Sequence, residues 1–125
     1  MNDKYKKYIE YIANDIELPY IKSLEQYGLK DNECELVLSK VFNEPVIVRN
    51  NYVYNTDGNK IYFENSDSFW IKYEYDANGN EIYYENNSGY WVKHEYDSND
   101  NEVYVENSRG YTYGNKLLIE YERQI

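Results

Sequence analysis

Three stretches of this chain align without gaps at a spacing of 21 residues: NTDGNKIYFEN (55–65), DANGNEIYYEN (76–86) and DSNDNEVYVEN (97–107). Between them lie SDSFWIKYEY (66–75) and NSGYWVKHEY (87–96), so that Glu64, Glu85 and Glu106 are equally spaced, as are Trp70 and Trp91. A period of this length, with apolar and polar residues alternating inside it, specifies two short strands and two turns per unit. DANGN carries the Asn-Gly pair that tolerates a hairpin's positive φ, and NNSG supplies its own glycine. Consecutive hairpins make an antiparallel meander, of seven to nine strands when Val46–Val48, Tyr52–Tyr54 and Leu117–Tyr121 are included.

Side chains two apart share a face of a strand, which sorts the repeat into two rows. One row holds Ile61, Phe63, Phe69, Ile71, Tyr73 and Tyr75, then Ile82, Tyr84, Tyr90, Val92, His94 and Tyr96, with Val103, Val105, Tyr111 and Tyr113 extending it. Its hydrocarbon content makes it the expected core face. The other row holds Tyr62, Glu64, Trp70, Lys72 and Glu74, then Tyr83, Glu85, Trp91, Lys93 and Glu95, with Tyr104 and Glu106. Large rings and carboxylates share this second face, and it is expected to stay open.

The period is different before Pro45. Residues 1–45 form a helical segment of two to three helices: Tyr5, Tyr8, Ile9, Ile12 and Ile16 fall at helical spacing, and Pro19 suits the first turn of a second helix that Gly28 ends. Asp31 or Asn32 can cap a third helix carrying Cys34, Val37, Leu38, Val41 and Phe42. The expected fold is α+β, with these helices packed on one face of an antiparallel β-meander sheet formed by residues 46–125.

The pattern Gly-x6-Tyr-Asp-x2-Gly-Asn, present approximately in GYWVKHEYDSNDN and SFWIKYEYDANGN, resembles the YD repeat of Rhs-type proteins. Ser68 and Asp100 stand where that pattern has glycine. The resemblance spans about residues 52–113 and implies the strand–turn–strand unit, without the long enclosing spiral of the large family members. A helical start followed by a few such units also resembles small accessory proteins of bacteriophages and mobile elements, among them anti-CRISPR inhibitors.

Catalytic chemistry finds little footing. The one histidine, His94, sits where the preceding unit has Tyr73 and reads as a packed ring with a hydrogen-bond partner, since a general base needs an adjacent nucleophile or acid. Cys34 falls on an apolar helical stripe, where a small buried hydrophobe is the ordinary reading. The loops beginning at Asp76 and Asp97 place oxygen side chains at alternate positions, as calcium loops do, but lack the later bidentate glutamate and are also plain hairpin chemistry. No enzyme activity, cofactor or metal is expected.

Charge narrows the partners. The chain has 13 basic and 23 acidic side chains, a formal net charge of −10, which opposes direct binding to nucleic acid or anionic membranes. Residues 46–125 carry 7 basic and 14 acidic side chains, net −7, so the excess lies on the sheet. With a single cysteine and no signal-peptide pattern, a cytoplasmic location is expected. The resulting expectation is an acidic protein-binding inhibitor of a host protein with a basic nucleic-acid-binding surface, a CRISPR effector by the resemblance. Trp70, Trp91, Tyr62, Tyr83 and Tyr104 are the expected anchors, and Glu64, Glu74, Glu85, Glu95 and Glu106 the partners of basic side chains. Two rival expectations are a carbohydrate- or choline-binding repeat module, whose rings would stack on the ligand, and a self-assembling repeat protein that forms homo-oligomers through its sheet edges.

Overall fold

Three helices precede eight strands in the computed structural model, which describes residues 3–114. The helices are α1 (Asp3–Asp15), α2 (Tyr20–Leu24, continued by a 3-10 turn at Glu25–Tyr27) and α3 (Asp31–Phe42). The strands are β1 (Val46–Arg49), β2 (Tyr52–Asn55), β3 (Lys60–Glu64), β4 (Trp70–Tyr75), β5 (Glu81–Asn86), β6 (Trp91–Tyr96), β7 (Glu102–Asn107) and β8 (Thr112–Gly114). They follow chain order in one antiparallel meander sheet. The strand expected at Leu117–Tyr121 lies outside the described residues. Compactness divides the described chain into residues 3–70 and 71–114.

In the first unit, α1 and α3 pack through Ile9, Ile12, Val37 and Leu38, all buried, and Tyr5 Oη donates to Glu33 at 2.8 Å. Glu33 also accepts the Lys30 backbone N–H at 2.9 Å, which ties off the start of α3. Lys30, rather than Asp31 or Asn32, is the residue that precedes the first helical turn, and Tyr8 of the predicted α1 stripe is exposed. Gly28 ends the 3-10 turn in the left-handed region, as expected of a C-terminal glycine.

Apart from Ile61, which is buried as expected, the covered side of β1–β3 is the reverse of the expected one. Tyr62 is fully buried and Glu64 is 3% exposed, whereas Phe63 between them is half-buried. Register explains the reversal. Val53 lies opposite Tyr62 and Val48 opposite Val53, so β1 and β2 add Val46, Val48 and Val53 to the Tyr62 side. Tyr52 and Tyr54 join Phe63 on the other side, with Tyr52 and Phe63 ring centroids 4.7 Å apart. Alternation shows which residues share a face; the neighbouring strands decide which face is oily enough to take the helices.

Polar bonds then lock α2 to that face. Tyr62 Oη accepts the Tyr20 N–H at 3.1 Å; Glu64 Oε1 accepts the Ile21 N–H at 2.8 Å and Oε2 the Lys22 N–H at 2.7 Å. Tyr62 Oη in turn donates to Glu64 Oε1 at 2.6 Å. Three first-turn donors that have no partner within the helix are thus satisfied by two side chains of β3. Tyr20, Phe42 and Tyr62 close over them with ring centroids 5.4–5.8 Å apart.

The second unit consists, among its described residues, of strands and turns. Each strand-to-strand turn repeats one geometry. In the loop 76–80 the Gly79 N–H bonds the Asp76 carbonyl, the Asp76 N–H bonds the Asn80 carbonyl, and Asp76 Oδ1 accepts the Asn78 and Asn80 N–H groups at 2.9 Å. The fourth residue of such a loop has positive φ: Gly58, Gly79, Gly89 and Gly110 occupy four of these positions, Ser68 (φ 67°) and Asp100 (φ 64°) the other two. β2–β3, β4–β5 and β6–β7 also share a one-residue bulge, with Ile61, Ile82 and Val103 as the extra residue between registered pairs.

Two measurements test this account. Glu64→Ala strands three donors, one of them buried and two part-buried, and is expected to destabilise the protein by about 2–3 kcal/mol in urea unfolding, while Glu85→Ala, the corresponding glutamate of β5, is expected to stay within about 0.5 kcal/mol of the parent. Ser68→Gly, relieving a left-handed residue whose side chain makes one exposed bond from Lys22, is expected to raise the unfolding free energy by about 0.5–1 kcal/mol. Asp100→Gly is expected to gain less, because Asp100 Oδ1 accepts bonds from the side-chain amides of Asn78 and Asn80.

Candidate protein-binding face

The sheet's two faces in the second unit are set by the registered pairs. Tyr73 lies opposite Tyr84, and Tyr84 opposite Val92; the ring pairs Tyr73–Tyr84 and Tyr84–Tyr90 stand edge to face at 5.7 and 6.2 Å. Arg109 covers the Tyr90 ring at 5.1 Å. This is the row expected to be core, yet none of its described members in the second unit is buried, and Tyr111 and Tyr113 are exposed. Its rings shield one another.

The opposite face pairs Lys72 with Glu85, Glu74 with Tyr83, Tyr83 with Lys93, Glu85 with Trp91, Lys93 with Glu106, and Glu95 with Tyr104. Opposite charges and rings therefore sit directly across from one another, the arrangement that stabilises a sheet surface. Tyr83 Oη donates to Glu85 Oε1 at 3.1 Å, and Lys93 Nζ lies 5.1 Å from the Trp91 ring centre. Tyr83, Glu85 and Trp91 are half-exposed and Lys93 is exposed.

The expected site residues thus separate into groups. Tyr83, Glu74, Glu85, Glu95, Trp91 and Glu106 share one face of the second unit, with part of each surface open to solvent. Tyr62 and Glu64 do not share that exposure: the expectation that they face solvent is corrected by their burial under α2. Tyr104, at 8% exposed, is likewise buried, so its ring has little surface to offer. Trp70, half-buried, opens β4.

His94 behaves as the packed, bonded ring the sequence suggested. Its Nδ1 is 2.8 Å from Glu102 Oε2 and its Nε2 is 3.7 Å from Glu81 Oε2. Burial pushes the Glu81 carboxyl above the usual carboxylate range, against the pull of the imidazole. The Cys34 thiol is also pushed up, first by burial and then by Asp31 and Glu33, which disfavours a reactive thiolate. It lines a cavity of about 470 Å³ with Ile21, Leu24, Leu38 and Val48. Among the described residues no cluster of histidine, cysteine and carboxylate side chains is arranged to hold a metal, and no helix is long and apolar enough to cross a membrane.

Two side chains that sequence reasoning passed over matter for the sheet edge. Glu35 Oε1 accepts the Val48 N–H at 3.0 Å and Ser39 Oγ accepts the Val46 N–H at 3.1 Å, so α3 occupies backbone donors of β1. Their spacing of four on one helix face was the available signal. No family model, curated protein or solved structure matches the chain.

Tyrosine ionisation provides a test of the buried pair. Burial, reinforced by the bond to Glu64, holds the Tyr62 phenol far above its ordinary value of 10.0, and the bond to Asp15 pushes Tyr27 up to about 12. Tyr75, Tyr83 and Tyr96 are raised too, chiefly by burial. A phenol with a raised folded-state pKa loses its proton more readily in the unfolded chain, so these contributions are complete below pH 10 and decline as pH climbs past it. Expected is that the phenolate absorbance lost in Tyr62→Phe, read as the difference between parent and variant, appears only above pH 10 and together with loss of the parent's circular dichroism signal. A difference that appears at the ordinary phenol value, with the fold intact, would count against a sealed Tyr62.

Proposed function

We propose that this protein is a non-enzymatic, acidic protein-binding inhibitor that blocks a host nucleic-acid-handling protein, a CRISPR effector in the reading closest to the sequence resemblance. The observation that carries the proposal is the Tyr83–Glu85–Trp91 face of the second unit: rings and carboxylates held rigidly by cross-strand pairs, half-exposed, on the most acidic part of the chain. Trp and Tyr are the usual anchors of protein interfaces, and carboxylates can occupy the Lys and Arg side chains of a groove that otherwise holds phosphates. Equivalent glutamates two strands apart are about 9–10 Å from each other, which fits steric and electrostatic blockade better than imitation of a phosphate backbone. In this reading the sheet is built of 21-residue units, of which the one holding Tyr83, Glu85 and Trp91 keeps its row open, and the protein acts in the cytoplasm of the host without a cofactor.

Two details favour this over its rivals. Lys93 already lies against the Trp91 ring, where a choline group would have to stack. The α3 side chains on Val46 and Val48 protect the β1 edge from extension by a second copy.

The test uses purified CRISPR effector–guide complexes of several types and measures their binding to target DNA as the protein is added. The expected outcome is saturable inhibition of one effector, with Trp91→Ala combined with Glu85→Arg weakening it by about tenfold or more. Inhibition of none, or inhibition untouched by the double variant while the fold persists, would sink the reading.

A further inference from the structure

The chain contains the same side-chain pair twice in different circumstances. On β3, Tyr62 and Glu64 are linked phenol to carboxylate and together take the first-turn N–H groups of Tyr20, Ile21 and Lys22. On β5, Tyr83 and Glu85 carry the same link, Tyr83 Oη to Glu85 Oε1 at 3.1 Å, and both are half-exposed. Glu64 also shows what the second carboxylate oxygen does in the assembled form: it takes a helix N–H at 2.7 Å. We infer that the Tyr83–Glu85 pair is a docking point for the N-terminal turn of a partner protein's helix, held by the bonds with which Tyr62 and Glu64 hold α2.

The chemistry of that partner follows from the precedent and from the neighbours. A helix start presents several backbone N–H groups with no partner in the helix and carries partial positive charge, so a buried or half-buried carboxylate suits it. The docked helix of the first unit enters through Pro19 in extended geometry, which leaves the next N–H groups pointing forward. Tyr20, the first residue of α2, contributes an aromatic ring against Tyr62. At the second site Trp91 lies directly across from Glu85, and an apolar first-turn residue would take the ring from Lys93, which a cationic group would meet as a like charge. Lys72 and Lys93, across from Glu85 and Tyr83, match the acidic side chains that helix starts favour. The third pair is less suited: Tyr104 is buried and its Oη lies 3.5 Å from Glu106 Oε2.

This inference rests on the reading that the Trp91 face is a binding surface, and specifies how that surface recognises its partner. The probe is an N-acetylated peptide with the sequence ELPYIKSLEQY, which copies residues 17–27, titrated into the isotope-labelled full chain and followed by NMR. Expected are saturable shifts at the amides of Tyr83 and Glu85 and at the Trp91 indole. Glu85→Gln, with an otherwise unchanged spectrum, should weaken them by about tenfold. A peptide N-methylated at the two backbone nitrogens corresponding to Ile21 and Lys22 keeps every side chain but loses two donors, and it should not bind. Equal binding of the methylated peptide, shifts confined to Tyr62 and Glu64, or no shift at a peptide concentration of about 1 mM would each overturn the inference. If the peptide fails while the Trp91 and Glu85 substitutions still relieve effector inhibition, the surface reading stands and only the helix-start recognition falls.

Discussion

The first unit depends on a buried carboxylate that serves as structural glue. A glutamate 3% exposed would be costly on its own, since an ionised side chain loses its water on burial. Here each oxygen has an assigned donor, and those donors are backbone groups that would otherwise be orphaned at the start of α2. Two liabilities cancel: an unsatisfied helix end and a desolvated charge. A five-residue helix has little stability of its own, so its place in the chain comes from this docking and from the aromatic cluster over it.

Much of the architecture could be read from side-chain spacing. Helical stripes before Pro45, two-residue alternation after it, and turn residues at regular intervals lead to helices followed by a meander. The turns were legible for a local reason: Asp or Asn at the first position accepts N–H groups two and four residues on, and glycine at the fourth supplies positive φ. Both are encoded within five residues. Ser68 and Asp100 show that the turn survives without that glycine when its hydrogen bonds are kept.

The choice of buried face was less legible because it is not a property of the repeat. Phe63 is more apolar than Tyr62 or Glu64, so residue by residue it belongs inside. What reverses the choice is the opposing register of β1 and β2, whose Val46, Val48 and Val53 lie on the Tyr62 side. Hydrophobicity ranked along one strand cannot reveal this; it needs the pairing. The same limit applies to Tyr83, Glu85 and Trp91. Their common face followed from alternation, but the phenol–carboxylate bond and the Lys93 cover over Trp91 depend on distances across strands.

The bulges at Ile61, Ile82 and Val103 have an arithmetic consequence. Side chains on a strand alternate with a period of two, whereas 21 is odd. In a meander whose ladders ran without interruption, residues one unit apart would fall on opposite sides of the sheet. One inserted residue per 21-residue spacing, in β2–β3, β4–β5 and β6–β7, changes the parity of the pairing, as from Glu74 opposite Tyr83 to Tyr75 opposite Glu81, and so cancels the mismatch. An odd-length unit can therefore be copied in tandem while every copy keeps its orientation. The small irregularity in these three ladders is what makes the sequence period and the pleat commensurate, and an array could lengthen by whole units without turning its surface chemistry inside out.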